Sequence, residues 1–287
     1  MAKQPKKPKK IEEPQYYTSA TNIPTYNFRV YEMKRIEKVL YFILAFVAGA
    51  AVGYLFYGGI GKNEFGQPTT LTWILNISLP TIVGLIAGRL FVPMRREAII
   101  AKRKKELGHQ FRDMLDSLTT SLGTGKNVND SFLSVYDDLR VQYNNDAFII
   151  KELEVIISGI QNNIAIEDLL EDFGKRSDNP DILSFATVFR ISYRKGGNIK
   201  DIIRNTHSIL SDKMEILEDI ETLMTANKTE QNIMIIMPIA LIGVIKMMSP
   251  EFAANFVTPT GIISTTLSIF VFVVAYFIGK KVLSIKI

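Results

Sequence analysis

The chain has 287 residues, 47% of them hydrophobic and 22% charged, with a formal net charge of +5 and no cysteine. Lys3, Lys6, Lys7, Lys9 and Lys10 account for all of that charge, so the remaining 277 residues sum to zero, which argues against a nucleic-acid-binding face. Without cysteine there is no disulfide, thiolate zinc site, iron–sulfur cluster or cysteine nucleophile.

In chain order, residues 1–38 read as a basic cytoplasmic tail. They do not read as a cleaved signal peptide, because the apolar run begins only near Val39, is too long for an h-region and lacks a small-residue cleavage site. Val39–Tyr57 is about nineteen residues without a charge, and Leu71–Val92 about twenty-two with only Arg89 near its end. Ile233–Met248 carries Pro238 and Lys246, and Ile262–Ile278 is uncharged. Crossing a hydrocarbon core about 30 Å thick takes about 20 apolar residues, so the first, second and fourth runs qualify directly. The third qualifies if Lys246 snorkels to the interface. Four transmembrane helices are therefore expected, paired as hairpins over 39–92 and 232–287. Arg89 and Lys246 are expected as interfacial anchors, and Pro80 and Pro238 as kinks.

Loop charges set the expected direction. Lys34, Arg35 and Lys38 precede the first span. Arg95, Arg96, Lys102, Arg103, Lys104 and Lys105 follow the second, and Lys280, Lys281 and Lys286 follow the fourth. The other loops are nearly bare: 58–70 has one Lys and one Glu, and 249–260 has only Glu251. All basic flanks share one side if both termini and 93–231 are cytoplasmic, in an inner membrane. No midspan carboxylate or histidine offers a proton relay, which disfavours a transporter.

Between the second and third spans, 93–231 shows apolar residues at helical spacing. Phe111, Leu115, Leu118 and Leu122 line a helix stopped at Gly123 and Gly125. Asn129 or Asp130 caps a second, with Phe132, Tyr136, Leu139 and Tyr143. A third runs from about Asp146 to Gln161, and a short fourth holds Ile166, Leu169, Leu170 and Phe173. Asn179-Pro180 opens a fifth, with Leu183, Ala186 and Phe189, that ends at Gly196-Gly197. The sixth, from Asn198, carries Ile202, Ile203, Ile209, Leu210, Leu217 and Ile220 and runs toward the third span. The expected fold is all-α: a polytopic membrane protein with a cytoplasmic six-helix bundle of antiparallel neighbours.

Catalytic patterns are missing. In GTGKN at 123–127, Thr120 stands where a Walker loop needs glycine, Asn127 follows the lysine, and no strand precedes it. His109 and His207 are the only histidines, too few for a histidine-rich metal site, and no ATP-binding domain follows His207. Asp137-Asp138 and Glu171-Asp172 have the spacing of solvated helix faces. No enzyme, cofactor or metal site is expected.

The succession QFRDMLDSLTTSLGTGKNVNDSF, GIQNNIAIEDLLEDFGKRS, FRISYRKGGNIKDIIRN and LMTANKT resembles the type II secretion F domain. It is most similar to the TadB- and TadC-like subgroup of tight-adherence pilus platform proteins. Gln110, Asp113, Leu115 and Asp116 fit the family's opening motif, with Arg112 in place of its proline. Gly125 matches the turn glycine. Ile166, Leu169 and Arg176 follow the next stretch, where Asn162 or Asn163 replaces the usual glycine. Gly196, Gly197 and Asn198 keep the GGN signature, and Thr225-Ala226 follows the long helix. Pro238, Ser249-Pro250-Glu251-Phe252 and Thr258-Pro259-Thr260-Gly261 extend the likeness to the C-terminus.

The resemblance implies an inner-membrane platform coupling a cytoplasmic secretion ATPase to pilin subunits. Relatives with two copies of the domain imply a homologous F-domain partner or a self-dimer. Arg194, Lys195 and Lys200 are the expected ATPase contacts. The alternative is a membrane sensor or signalling adaptor with a helical cytoplasmic bundle.

Overall fold

A computed structural model describes residues 13–19, 22–61 and 67–283. Lys3, Lys6, Lys7, Lys9, Lys10, Lys62, Glu64 and Lys286 lie outside them. The order is β1 (Tyr16–Thr18), β2 (Pro24–Tyr26), α1 (Arg35–Tyr57), α2 (Thr70–Gly123), α3 (Val128–Gln142), α4 (Phe148–Gln161), α5 (Ile166–Ser177), α6 (Pro180–Arg194), α7 (Ile199–Met248), α8 (Pro250–Asn255) and α9 (Pro259–Leu283). The chain divides into two units. One holds the segment through Glu32 together with Arg96–Glu215, the other Met33–Arg95 together with the segment from Ile216. Both α2 and α7 contribute residues to each.

In the first unit, α3 to α6 and the adjoining parts of α2 and α7 bury one apolar core. Phe111, Met114, Leu115 and Leu118 of α2 meet Phe132 of α3, Ile149 and Leu153 of α4, Phe173 of α5, and Phe185 and Phe189 of α6. Phe111 sets its ring edge-on to Phe185 at 5.5 Å and to Phe173 at 6.1 Å between centroids, a favoured aromatic geometry. The core face of α6 carries Ile182, Phe185, Ala186 and Phe189, so the expected Leu183 lies outside it, 38% exposed. On α7 only Ile203 and Leu210 are fully buried, and Ile209 is 66% exposed.

Residues 13–32 are more than a basic tail. β1 and β2 pair antiparallel, Tyr16 opposite Tyr26 and Thr18 opposite Pro24. Just past them Phe28 is 3% exposed in the helical core. Phe28 and Tyr26 both present ring edges to Phe148, at 5.4 and 5.9 Å.

Two turns of the unit repeat each other. The helix pairs α2–α3 and α6–α7 superimpose in sequence at a constant separation of 71 residues, Gly125 on Gly196, Asn127 on Asn198 and Asp130 on Asp201. Core positions follow the same shift without a gap: Phe111 and Ile182, Met114 and Phe185, Leu115 and Ala186, Leu118 and Phe189, Phe132 and Ile203, Leu139 and Leu210 are all buried.

In the second unit, α1, α9 and parts of α2 and α7 are long and apolar enough to cross a membrane. α1 and α2 cross where two G-x-x-x-G stretches, Gly49–Gly53 and Gly84–Gly88, remove side-chain bulk. A Cβ on Gly49 would stand 2.7 Å from that of Ala87, and one on Gly84 would stand 2.8 Å from the Phe46 carbonyl. Small residues permit such backbone approach between helices in lipid. Lys246 does more than anchor. Its ammonium donates to the carbonyls of Leu55, at 2.7 Å, and Phe56, and lies 4.9 Å from the Phe256 ring centre. It thus satisfies orphan acceptors at the C-terminal end of α1.

Candidate functional site

The residues singled out in the sequence begin with the groups that hold the helical scaffold. α4 has no side-chain cap at Ala147. Gln110 supplies one from α2: its Oε1 accepts from the Ile149 N–H at 3.0 Å while its Nε2 donates to Glu106 at 3.3 Å. Gln110 is 3% exposed, so it satisfies an orphan helix donor that burial would otherwise penalise. Three residues on, Asp113 accepts from Arg112 Nη2 at 2.9 Å and from the Tyr143 hydroxyl. Burial first, and then the Asp113 carboxylate, push Tyr143 up to about 12. Asp116 instead faces solvent, 3.7 Å from His207 Nε2.

Arg176 is the most constrained of the predicted residues, 7% exposed at the end of α5. Its fork is bidentate to Glu152 of α4, at 2.9 and 2.8 Å. Nε donates to Asp172 at 2.7 Å and Nη1 to the Tyr26 carbonyl at 3.0 Å. The Phe28 N–H returns a bond to the Arg176 carbonyl at 3.0 Å. One guanidinium thereby joins α4, α5 and the N-terminal hairpin. Burial works against its charge, and Glu152 and then Asp172 more than offset that, holding it above the ordinary arginine value. Burial also raises Glu152, against the pull of Arg176. Arg29 and Lys104 both pair with Asp178 beside it.

The α6–α7 turn has a defined stop and start. Gly196 takes φ +69°, and the Gly197 N–H reaches back to the Ser192 carbonyl at 2.8 Å, the six-to-one bond of a Schellman stop. Asn198 then caps α7 by accepting from the Asp201 N–H at 3.4 Å. At the α2–α3 turn Gly125 has φ +88°, and Asn127 accepts from the Asp130 N–H at 2.9 Å. The cap is thus Asn127 rather than the expected Asn129 or Asp130: an Asn at N-cap reaches the N3 amide, and Asp130 occupies N3.

Both turns lie at the same end of the unit. Asp116 meets His207, and a Cβ on Gly108 would stand 3.5 Å from Met214, so α2 and α7 run antiparallel there. At that end Arg194 is engaged, its Nε 3.2 Å from Glu167 and its Nη2 3.7 Å from Asp168. Lys195 is exposed and Lys200 half-buried. Thr225 and Ala226 are exposed on α7 and belong to the second unit. Thr225 Oγ1 donates to the Glu221 carbonyl at 2.7 Å within its own helix.

Two partners of this scaffold escape sequence reasoning. Glu152 sits 24 residues from Arg176 with no motif linking them, and Tyr26 offers only a backbone carbonyl. Among the described residues no group of three or more His, Cys, Asp or Glu is placed to hold a metal ion.

Fold and site define a membrane-embedded helical protein with a short N-terminal hairpin. Comparison with family models, curated proteins and solved structures gave no match.

Proposed function

We propose that this chain is a non-enzymatic assembly platform of a tight-adherence or other type IV-like pilus, or of a type II-like secretion machine. In this reading it lies in the cytoplasmic membrane with both termini and the six-helix bundle of 93–231 in the cytoplasm. The observation that carries it is the order of parts: helices around a single core, inserted between the second and third apolar spans, with the Gly196-Gly197-Asn198 turn leading into α7, the helix that carries the third. The basic residues after the second span and before the first support the orientation.

A cytoplasmic secretion ATPase docks at the end bearing the two equivalent turns, where Lys195 and Lys200 are the contacts. Arg194 shapes that end through its acidic neighbours on α5. Pilin subunits meet the spanning helices, and a homologous F-domain protein or a second copy completes the assembly. Reporter fusions after Ile60, Arg140 and Ala254 and at the C-terminus test the topology, with outside, inside, outside and inside expected. The function is tested by copurification from native membrane, where a secretion ATPase and pilins are expected. An external signal after Arg140, or a histidine kinase as the copurifying partner, overturns the reading.

A further inference from the structure

In the first unit α6 turns an uncharged face to solvent. From Ile182 to Phe189 it carries no charge, and Arg190 is drawn aside to Glu171 and Asp168 of α5. On α7, Lys213 pairs with Asp181 of α6 at 2.8 Å. Val188 lies two turns on from Asp181, and Ile209 one turn before Lys213, so both stand on the same side of the α6–α7 groove. Val188, Ile191 and Ile209 are 44%, 51% and 66% exposed. The repeated hairpin shows that the fold does not require apolar residues there. Val188, Ile191 and Ile209 correspond, 71 residues earlier, to Ser117, Thr120 and Asp138. Those positions are polar, and Ser117 donates to Asp138 at 2.9 Å. One pair of helices is thus finished for water, and its equivalent for a dry contact.

We propose that this face docks a second copy of the chain, the two α6–α7 pairs forming a four-helix contact about a two-fold axis that runs along α7. Symmetry and charge together select that occupant. Both copies enter the membrane the same way round through α7, which carries the third apolar span, so the axis that relates them runs along the helices. It sets α6 of each copy antiparallel to α7 of the other, as in an up-and-down bundle. The charges then match. Asp181 and Lys213 bound the apolar stretch at one end. Lys195 on α6 and Asp201 on α7 bound it at the other, about 21 and about 18 Å away along their helices. Where α6 carries an acid and then a base, the facing α7 carries a base and then an acid, so opposite charges meet at both ends. A bilayer surface would select a basic rim, whereas Asp201 and Asp212 are exposed along this one. An ammonium has three donors, so Lys195 can hold the second copy's Asp201 and still serve the ATPase contact. The pairing deepens the platform reading, in which a second copy completes the assembly, and it is measured without ATPase or pilin.

The chain has no cysteine, so a single introduced thiol crosslinks only to another molecule. Ile191→Cys and its repeat equivalent Thr120→Cys, both at exposed positions, are made in the full chain and treated with a short bismaleimide in membranes of cells producing it. Ile191→Cys is expected to give an adduct of twice the chain's mass, in several-fold higher yield than Thr120→Cys. Adding Val188→Asp is expected to abolish that adduct, and Ile209→Asp provides a second variant of the face. Adding Lys195→Asp is expected to weaken it, and Asp201→Lys together with Lys195→Asp to restore it. Circular dichroism confirms that each variant is folded. Equal yields from the two cysteines, no adduct from Ile191→Cys, or an adduct with a different protein overturns the proposal. So does undiminished crosslinking in a folded Val188→Asp or Ile209→Asp protein, or a folded charge-swapped protein that restores nothing. Copurification without a secretion ATPase counts against the platform reading alone and leaves this contact standing.

Discussion

Replacing Arg176 with methionine tests the scaffold most sharply. The substitution keeps much of the side-chain volume but deletes the guanidinium that pairs with Glu152, whose side chain is 2% exposed. The bond to Asp172 adds little, since that carboxylate is 56% exposed and exposed pairs contribute about 0–1 kcal/mol. The loss is dominated by an uncompensated buried carboxylate, which costs about 3–5 kcal/mol. For a unit of this size each kcal/mol moves the melting temperature by about 3 °C, so a drop near 10 °C is expected by circular dichroism of the detergent-solubilised chain. The pH dependence has a defined sign. In the variant Glu152 keeps its burial and loses its cation, so its folded pKa rises further above the unfolded value. Its contribution is then full below the unfolded value, about 4.3, and is lost as pH rises through the folded one. The defect should therefore be worst at neutral pH and shrink in acid. Glu152→Met added to Arg176→Met should restore the melting temperature, because apolar replacement of a buried pair is near neutral. The hairpin, deprived of its bond to the Tyr26 carbonyl, should remain open to proteolysis after Tyr17. A drop below about 3 °C for the single variant would refute the reasoning.

Gly196→Val forces a branched side chain to positive φ and should cost about 1–3 kcal/mol by thermal melt, without blocking membrane insertion. Gly197→Val instead crowds Ser192, whose Cβ would lie 3.1 Å away, and is also expected to lower the melting temperature. Both should impair filament assembly if the platform reading holds. Lys195→Glu with Lys200→Glu should weaken ATPase association in a salt-sensitive way in pull-downs while leaving the melting temperature unchanged. Arg194→Glu should lower the melting temperature, since it sets a third acid against Glu167 and Asp168. Tyr143 keeps its proton to about pH 12, above its ordinary value near 10. Stability should therefore be level below about pH 10 and fall toward pH 12, and Tyr143→Phe should flatten that fall in alkaline unfolding curves.

The spans and most helix limits are legible because each rests on local signals: uncharged runs, the Asn179-Pro180 start and the glycines after α2 and α6. The continuity of α7 from the core into the third span is legible for the same reason. The hairpin is not, since strands of three residues give alternation nothing to repeat. Its stability comes from Phe28 and Tyr26 against Phe148, a contact more than a hundred residues away in sequence. Leu183 and Ile209 fit a helical stripe but fall just off the buried arc, which periodicity alone cannot resolve. The cap at Asn127 was hidden by three closely spaced cap formers, Asn127, Asn129 and Asp130. Gln110 and Arg176 are singled out only through a resemblance, and their roles, capping α4 and holding Glu152, belong to tertiary structure.

The equivalence of α2–α3 and α6–α7 creates a problem of self-recognition. Two hairpins with the same turn and the same buried positions can exchange places, within one chain or between two copies. Side-chain volume tells them apart. Leu115 stands where the other hairpin has Ala186, Leu118 where it has Phe189, and Phe132 where it has Ile203. A swapped hairpin would overfill one layer of the core and leave a void in the next, and both errors are destabilising. The repeated turn makes the two hairpins alike in shape, and the unequal core residues give each only one place to fold.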